Sequence, residues 1–464
     1  MAEPITGHIA VLGAGRSGRA VTARLAADAE RGVDVQVTLI DSSSSENLES
    51  LVAPLRGPNV EVRLGSDVIP PNATLVVASP GLPPTSQLMQ SARSLGVPIV
   101  SEIELAYRLS DSPWIAVTGT NGKTTTTTLT AHLLSEAGLP TETVGNIGRA
   151  AASVVGDLGP ATVLVAEVSS FQLALTERFH PRVAVLLNIT PDHIDWHGSL
   201  EAYAADKARV FANLTVGDTA VIDIDDSGSA PYAASLAGSG VDVRTISRTH
   251  AEAFGRVENG VLVLGHGSGR VELCRVDELM IRGDHNVSNA LAAAAAAHSV
   301  GVGAGLLADA LRTFEPIEHR LEPVGVVGGV EYFNDSKATN PDAVLKALTA
   351  FDDRPLVILL GGHNKGNDFS ELATAVCDRC RAAVVFGEST REFLQAFEPC
   401  VGYDVIEAHG MEEAVHAAAG MALPGDVVLL SPACASFDEF NDFEHRGRAF
   451  REIVSGMSQT DVRS

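Results

Sequence analysis

Short apolar runs recur along this chain, most of them closed by glycine, serine, asparagine or aspartate: Ile9–Leu12, Val35–Ile40, Leu75–Ala78, Trp114–Val117, Ala161–Val165, Arg182–Asn188, Val330–Phe333, Leu356–Leu360, Ala383–Phe386 and Val427–Leu430. Runs of this length, bounded by turn residues, read as strands buried on both faces, as in parallel sheets. Between them lie segments with helical spacing, at Arg19–Ala29, from Lys123 through Glu136, Leu200–Asn213, Ala290–His298 and 342–350. Pro341 suits the first position of the last of these. Strands alternating with helices predict an α/β protein built on parallel sheets. The chain is too long for one core, and the pattern divides into units at about 1–108, 109–316 and 317–464. Residues from about 215 to 280 alternate short strands with turns and carry no recognisable chemistry.

The most informative junction follows Trp114–Val117. Thr118-Gly119-Thr120-Asn121-Gly122-Lys123-Thr124-Thr125 joins that strand to a helix. Backbone N–H groups of such a turn face an anion. Lys123 reaches outer phosphates and Thr124 offers a hydroxyl to Mg²⁺. The match to the standard phosphate loop is incomplete, because Val117 stands where its first glycine belongs and Gly119 comes two places later.

Other strand ends hold polar residues. Gly13-Ala14-Gly15-Arg16-Ser17-Gly18 follows the first strand and Asp41 ends the second, the arrangement of a dinucleotide-binding unit. A Rossmann-like domain without ligand fits the same glycines. Ser79-Pro80-Gly81 lies at another strand end. Glu167, past its strand and beside the phosphate loop, is placed to hold Mg²⁺. His193 shares that address, although most lone histidines are structural. Asn286 and Asn289 suit either contact with a nucleotide or helix capping. Lys207 reads as a solvated charge on an exposed helix face. In the last unit, Asn334–Pro341, Gly361–Phe369 and Ser431–Asp438 are polar loops expected along one sheet edge.

Composition narrows the partners. The 464 residues carry a net charge of −25, with no Lys/Arg-rich block. This argues against a nucleic-acid partner and makes Lys123, Lys207, Arg320, Lys337 and Lys365 stand out. Five scattered cysteines fit reduced thiols of a cytosolic protein, and Cys377-x-x-Cys380, in a helical stretch, lacks the second pair of a zinc site. The N-terminus shows no signal-peptide pattern, and no run is long enough to span a membrane.

Together these motifs resemble the Mur ligases. The carriers are Thr118–Thr125, Gly145-Asn146-Ile147-Gly148, Glu167–Gln172, Asp192-His193, Lys207, His285–Asn289, His319-Arg320, Asn334–Asn340 and Ser431–Phe440, spread over all the units. The glycine-rich start, with the last two carriers, is most like the D-glutamate-adding members.

The resemblance implies an N-terminal Rossmann-like domain for a UDP-sugar, a central P-loop ATPase-like parallel sheet with extra strands, and a C-terminal Rossmann-like domain for the amino acid. It implies ATP, UDP-N-acetylmuramoyl-L-alanine and D-glutamate as substrates of a cytoplasmic, monomeric enzyme. Gly15, Arg16, Ser17, Asp41, Ser79, Pro80 and Gly81 would hold the UDP moiety, and Asn146 the sugar tail. Gly119, Thr120, Asn121, Gly122, Lys123, Thr124, Thr125, Asn289, Arg320, Asp335 and Lys337 would meet ATP. Thr124, Glu167, His193 and a carbamylated Lys207 would hold two Mg²⁺ ions. Thr339, Lys365, Ser436 and Phe437, with Phe443 packing nearby, would receive D-glutamate. A hinge is expected near 317–319. Rival readings are another ligase of the family or a folylpolyglutamate synthase, a nucleotide-binding oxidoreductase, and a non-catalytic nucleotide-binding regulator.

Overall fold

The computed structural model describes residues 4–351 and 354–461. Among the described residues, three sheets account for the strands. The first contains β1 (Gly7–Leu12), β2 (Val35–Asp41), β3 (Val60–Leu64), β4 (Leu75–Ala78) and β5 (Ile99–Ser101), in the order β3-β2-β1-β4-β5 and parallel throughout. The strand order reverses between β1 and β4, so the loops at Gly13 and Ser79 flank the crevice where open α/β sheets take ligands.

The second sheet contains β6 (Trp114–Thr118), β7 (Thr141–Gly145), β8 (Val163–Glu167), β9 (Val183–Leu186), β10 (Thr219–Asp223), β11 (Asp242–Ser247), β12 (Gly255–Glu258), β13 (Val261–Leu264) and β14 (Val271–Arg275). Its order is β14-β13-β12-β11-β10-β9-β6-β8-β7. The strands from β7 to β12 pair in parallel, and β13 and β14 extend the edge as antiparallel strands. Every residue of β6 is buried, which explains its unbroken apolar reading: a strand covered on both faces has no polar side. One hydrophobic cluster runs from Ile9 and Val77 through Trp114 to Ile222, joining the first two sheets. Tyr107, Trp114 and Phe179 meet edge to face inside it.

The third sheet contains β15 (Glu322–Val327), β16 (Val330–Asn334), β17 (Leu356–Gly361), β18 (Cys380–Phe386), β19 (Val405–Ala408) and β20 (Val427–Ala433), ordered β15-β16-β20-β17-β18-β19. Only β15 is antiparallel to its neighbour. Separate apolar clusters cover the two faces. The chain forms two compact units, residues 1–278 with 288–312, and 279–287 with 313–464.

Several local readings need correction. Lys207 is 2% exposed and lies under its helix, not on a solvated face. That helix ends at Ala208 and tightens into a 3₁₀ turn, Arg209–Phe211. Glu167 is the last residue of β8 rather than a residue past it. The alanine-rich helix begins at Asp284, so Asn289 sits inside it and cannot be its cap. Cys380 opens β18 and is not helical. Cys377 and Cys400 form a disulfide, with Cα atoms 6.5 Å apart, so not all five thiols are free. The helices Ser370–Arg379 and Thr390–Phe397 pack together, and spacing along the chain could not reveal that proximity. Among the described residues, no helix is long and apolar enough to cross a membrane.

Candidate functional site

The loop after β6 turns on two glycines, Gly119 (φ +154°) and Gly122 (φ +84°). A Cβ on Gly122 would also collide with Asn289 Oδ1, so both backbone and neighbour require glycine there. The helix Lys123–Glu136 starts directly after it with no side-chain cap. A helix N-terminus at the end of such a turn favours an anion. Lys123 Nζ donates to the carbonyls of Gly119 (2.9 Å) and Thr120 (2.7 Å). Asn121 N donates to Asn188 Oδ1 (2.8 Å), pinning the loop to the end of β9. Thr125 is buried in the first turn.

Glu167, buried at the end of β8, accepts from the Thr124 hydroxyl (2.8 Å) and from Asn146 Nδ2 (2.8 Å). Lys207 Nζ donates to the same Gly119 carbonyl that Lys123 uses (2.8 Å) and lies 4.5 Å from the centre of the Tyr203 ring. Burial, and after it the charge of Lys123, hold the Lys207 ammonium well below the usual lysine range. His193 adopts a left-handed backbone (φ +52°) at the start of a short helix. Its ring packs on Phe171 at 4.8 Å and faces Tyr203 at 6.5 Å. The Tyr203 hydroxyl is in turn 3.1 Å from Thr120 Oγ1. The structure thus gathers Lys123, Thr124, Glu167 and Lys207 around one loop, and His193 connects to it by way of Tyr203. Glu167 and Lys207 have neutral hydrogen-bond partners here.

At the first sheet, Gly13 takes φ +87°, and a Cβ on Gly18 would strike the Gly13 carbonyl. Asp41 accepts from Ala14 N (2.7 Å) and Ser43 N (2.8 Å), and Ser79 Oγ donates to Gly13 O (3.1 Å). Gly15 precedes the helix Arg16–Glu30, again without a side-chain cap, and Ser17 lies in its first turn. Arg16 crosses to the second sheet and donates to the carbonyls of Gly145 (3.1 Å), Asn146 (3.1 Å) and Gly148 (3.0 Å). Trp196 Nε1 donates to Leu82 O (3.3 Å), just past Pro80 and Gly81. The Gly145–Gly148 loop therefore touches Arg16 on one side and Glu167 on the other.

In the second unit, the polar loops follow three adjacent strands, β16, β20 and β17. Asp335 accepts from Ser431 Oγ (2.7 Å) and Leu321 N (3.3 Å), and burial pushes its carboxyl up to about 7. Lys337 Nζ lies 3.6 Å from the centre of the Phe443 ring. Arg320 stands between His319 and Leu321, both in left-handed backbone, a concentration of strain common at functional sites. Thr339 precedes Asn340, whose side chain caps the helix Pro341–Leu348. Ser436 is buried, while Lys365 and Phe437 are exposed.

Residues 117–297 match the model of the Mur ligase middle domain, and residues 319–434 that of the Mur ligase, glutamate ligase domain. The UDP-N-acetylmuramoylalanine–D-glutamate ligase of Pelotomaculum thermopropionicum is 44% identical, over 97% of this chain and 98% of its own length. The chain belongs to the Mur ligase family. The Salinibacter ruber ligase of the same description is 42% identical, over 96% of this chain and 97% of its own. The solved UDP-N-acetylmuramate–alanine ligase of Thermotoga maritima shares the fold, with a TM-score of 0.60 and 19% identity over 97% of this chain and 99% of that one.

Two residues that no sequence motif announces also shape these loops. Arg446 is wholly buried and donates to Ser336 Oγ (2.9 Å) and to the carbonyls of Ser336 (2.9 Å), Cys434 (3.0 Å), Ala435 (3.3 Å) and Gly361 (3.4 Å). One guanidinium thus ties together all three polar loops. Its place in a charged helical stretch gave no signal. Tyr203 was equally silent, although its spacing four before Lys207 puts both on one helix face.

Proposed function

We propose that this Mur ligase joins D-glutamate to UDP-N-acetylmuramoyl-L-alanine, using ATP, in cytoplasmic peptidoglycan precursor synthesis. The observation that carries the reading is the Thr124–Glu167–Asn146 chain of hydrogen bonds beside the two lysines on Gly119. The donor set suits Mg²⁺, which prefers oxygen ligands: a threonine hydroxyl and a carboxylate lie side by side at the phosphate loop. Thr124, Glu167, His193 and a carbamylated Lys207 would hold the metal, which when bound neutralises phosphate charge. Carbamylation needs a neutral amine to attack CO₂ and release a proton. The depressed basicity of Lys207 supports that step, and Lys123 stands ready to face the resulting anion.

In the reaction, an oxygen of the L-alanyl carboxylate attacks the ATP γ-phosphorus. The bond to the β-phosphate oxygen breaks, leaving an acyl phosphate and ADP. The D-glutamate amine then attacks the acyl carbon, phosphate departs, and the amine loses a proton. Lys123 and the loop N–H groups would steady the phosphates, and phosphoryl transfer of this kind rests mainly on positioning and charge. Asn289, packed against Gly122 and bonded to Thr126 Oγ1 (3.2 Å), would meet the nucleotide. Gly15, Arg16, Ser17, Asp41 and the Ser79–Gly81 loop would hold the UDP moiety. Arg16 and Asn146 supply a continuous path from there to Glu167.

In the second unit, Arg320, Asp335 and Lys337 are the candidates for contact with ATP, and Thr339, Lys365, Ser436 and Phe437, with Phe443 nearby, those for contact with D-glutamate. The test is phosphate release with ATP and UDP-N-acetylmuramoyl-L-alanine. It should depend on D-glutamate and not on L-alanine or diaminopimelate. Turnover with either of those instead sinks the assignment.

A further inference from the structure

His197 closes the short helix Ile194–His197, and its side chain is fully covered. Nδ1 lies 2.7 Å from Asp206 Oδ2 and Nε2 lies 3.0 Å from Ser170 Oγ. A carboxylate only accepts, so Nδ1 carries the proton and Nε2 accepts from the serine hydroxyl. Asp206 directly precedes Lys207. Ser170 opens the helix Ser170–Leu173 just after Glu167, in a turn fixed by the reciprocal Ser169–Gln172 cap. The imidazole stacks on Phe171 (5.4 Å, 7° between planes), lies tilted against Trp196 (4.4 Å) and packs edge to face with Tyr203 (5.1 Å).

The order Ser–His–Asp resembles a nucleophilic triad. Ser170 is 2% exposed, however, so no acyl group could reach it. What the three residues do hold together is the segment carrying Glu167 and the helix carrying Lys207. A ring needed only for its volume would be apolar, since burying two ring nitrogens is costly unless both are bonded.

We propose that His197 is a positioning residue of the ATP site: by bonding Ser170 and Asp206 at once, it sets the spacing between Glu167 and Lys207. The inference rests on the proposed function and concerns how that site is kept in register.

The test uses the full chain and MgATP binding by calorimetry, with thermal unfolding as a check on folding. His197→Phe keeps the stacked ring and loses both hydrogen bonds. It should unfold near the parent temperature, bind MgATP about 10- to 100-fold more weakly, and leave the KM for D-glutamate unchanged. Ser170→Ala and Asp206→Ala should each weaken MgATP binding and add nothing in the His197→Phe background. His197→Asn, which can still donate to Asp206, should match Ser170→Ala and serves if the phenylalanine variant fails to fold. Parent-like MgATP affinity in His197→Phe or His197→Asn, or losses that add, would overturn the inference alone. A parent protein that does not bind MgATP would overturn the proposed function and the inference with it.

Discussion

The phosphate-loop site and the loop cluster of the second unit both bury positive charge, but with different side chains. The first uses lysines: Lys123 and Lys207 share the Gly119 carbonyl. The second uses Arg446, whose planar fork reaches one hydroxyl and four carbonyls from three loops. A lysine ammonium is a point charge on a flexible stem and can exchange partners, whereas a guanidinium fixes several directions at once. The comparison separates the groups proposed to meet a ligand from one that holds the walls.

The largest effect should come from Lys123→Ala. Its turnover should fall by about 10³-fold or more, with the unfolding free energy nearly unchanged, as read by ADP release and urea titration. A large loss of stability would make this lysine a wall as well. Arg446→Met should do the reverse first: about 3 kcal/mol of stability should go, because buried carbonyls lose their donors.

The carboxylates sharpen the contrast. Burial raises Asp335 from its ordinary 3.8 to about 7. The folded state therefore holds this proton more tightly than the unfolded chain does. The stabilisation is complete below about pH 4 and is lost as pH rises through about 7. Asp335→Asn should flatten that decline by up to about 4 kcal/mol, measured as unfolding free energy against pH. Glu102, raised to about 7, and Asp223, raised to about 6, should leave a residual slope. The smallest effect should be that of Phe443→Leu, which removes the ring under Lys337 at a cost of about 0.5–1 kcal/mol, visible in the same titration.

Much of this was legible in the chain because strands buried on both faces leave continuous apolar runs, and their ends announce the loops. The parallel sheets, the Gly122-Lys123-Thr124 junction and Glu167 all came from that rule. Strands with charged or alternating residues, such as Val60–Leu64 and Glu322–Val327, left no such run and went unseen. Lys207 misled for a physical reason: lysine on a helix is nearly always solvated, and only the tertiary placement of Tyr203 and Gly119 makes a buried ammonium tolerable. Arg446 and His197 were hidden because their partners lie far away in sequence or carry no motif of their own. The disulfide between Cys377 and Cys400 depends on helix packing that spacing does not encode.

Gly122 has a bearing on which sequences this enzyme can explore. Its backbone angle penalises any side chain, and the space a methyl group would fill already belongs to Asn289. Shortening Asn289 would clear the room but not cure the angle, so the two positions cannot drift as a compensating pair. Variation in this loop must therefore enter elsewhere, and a directed-evolution library that spares this glycine should lose fewer members to dead ends.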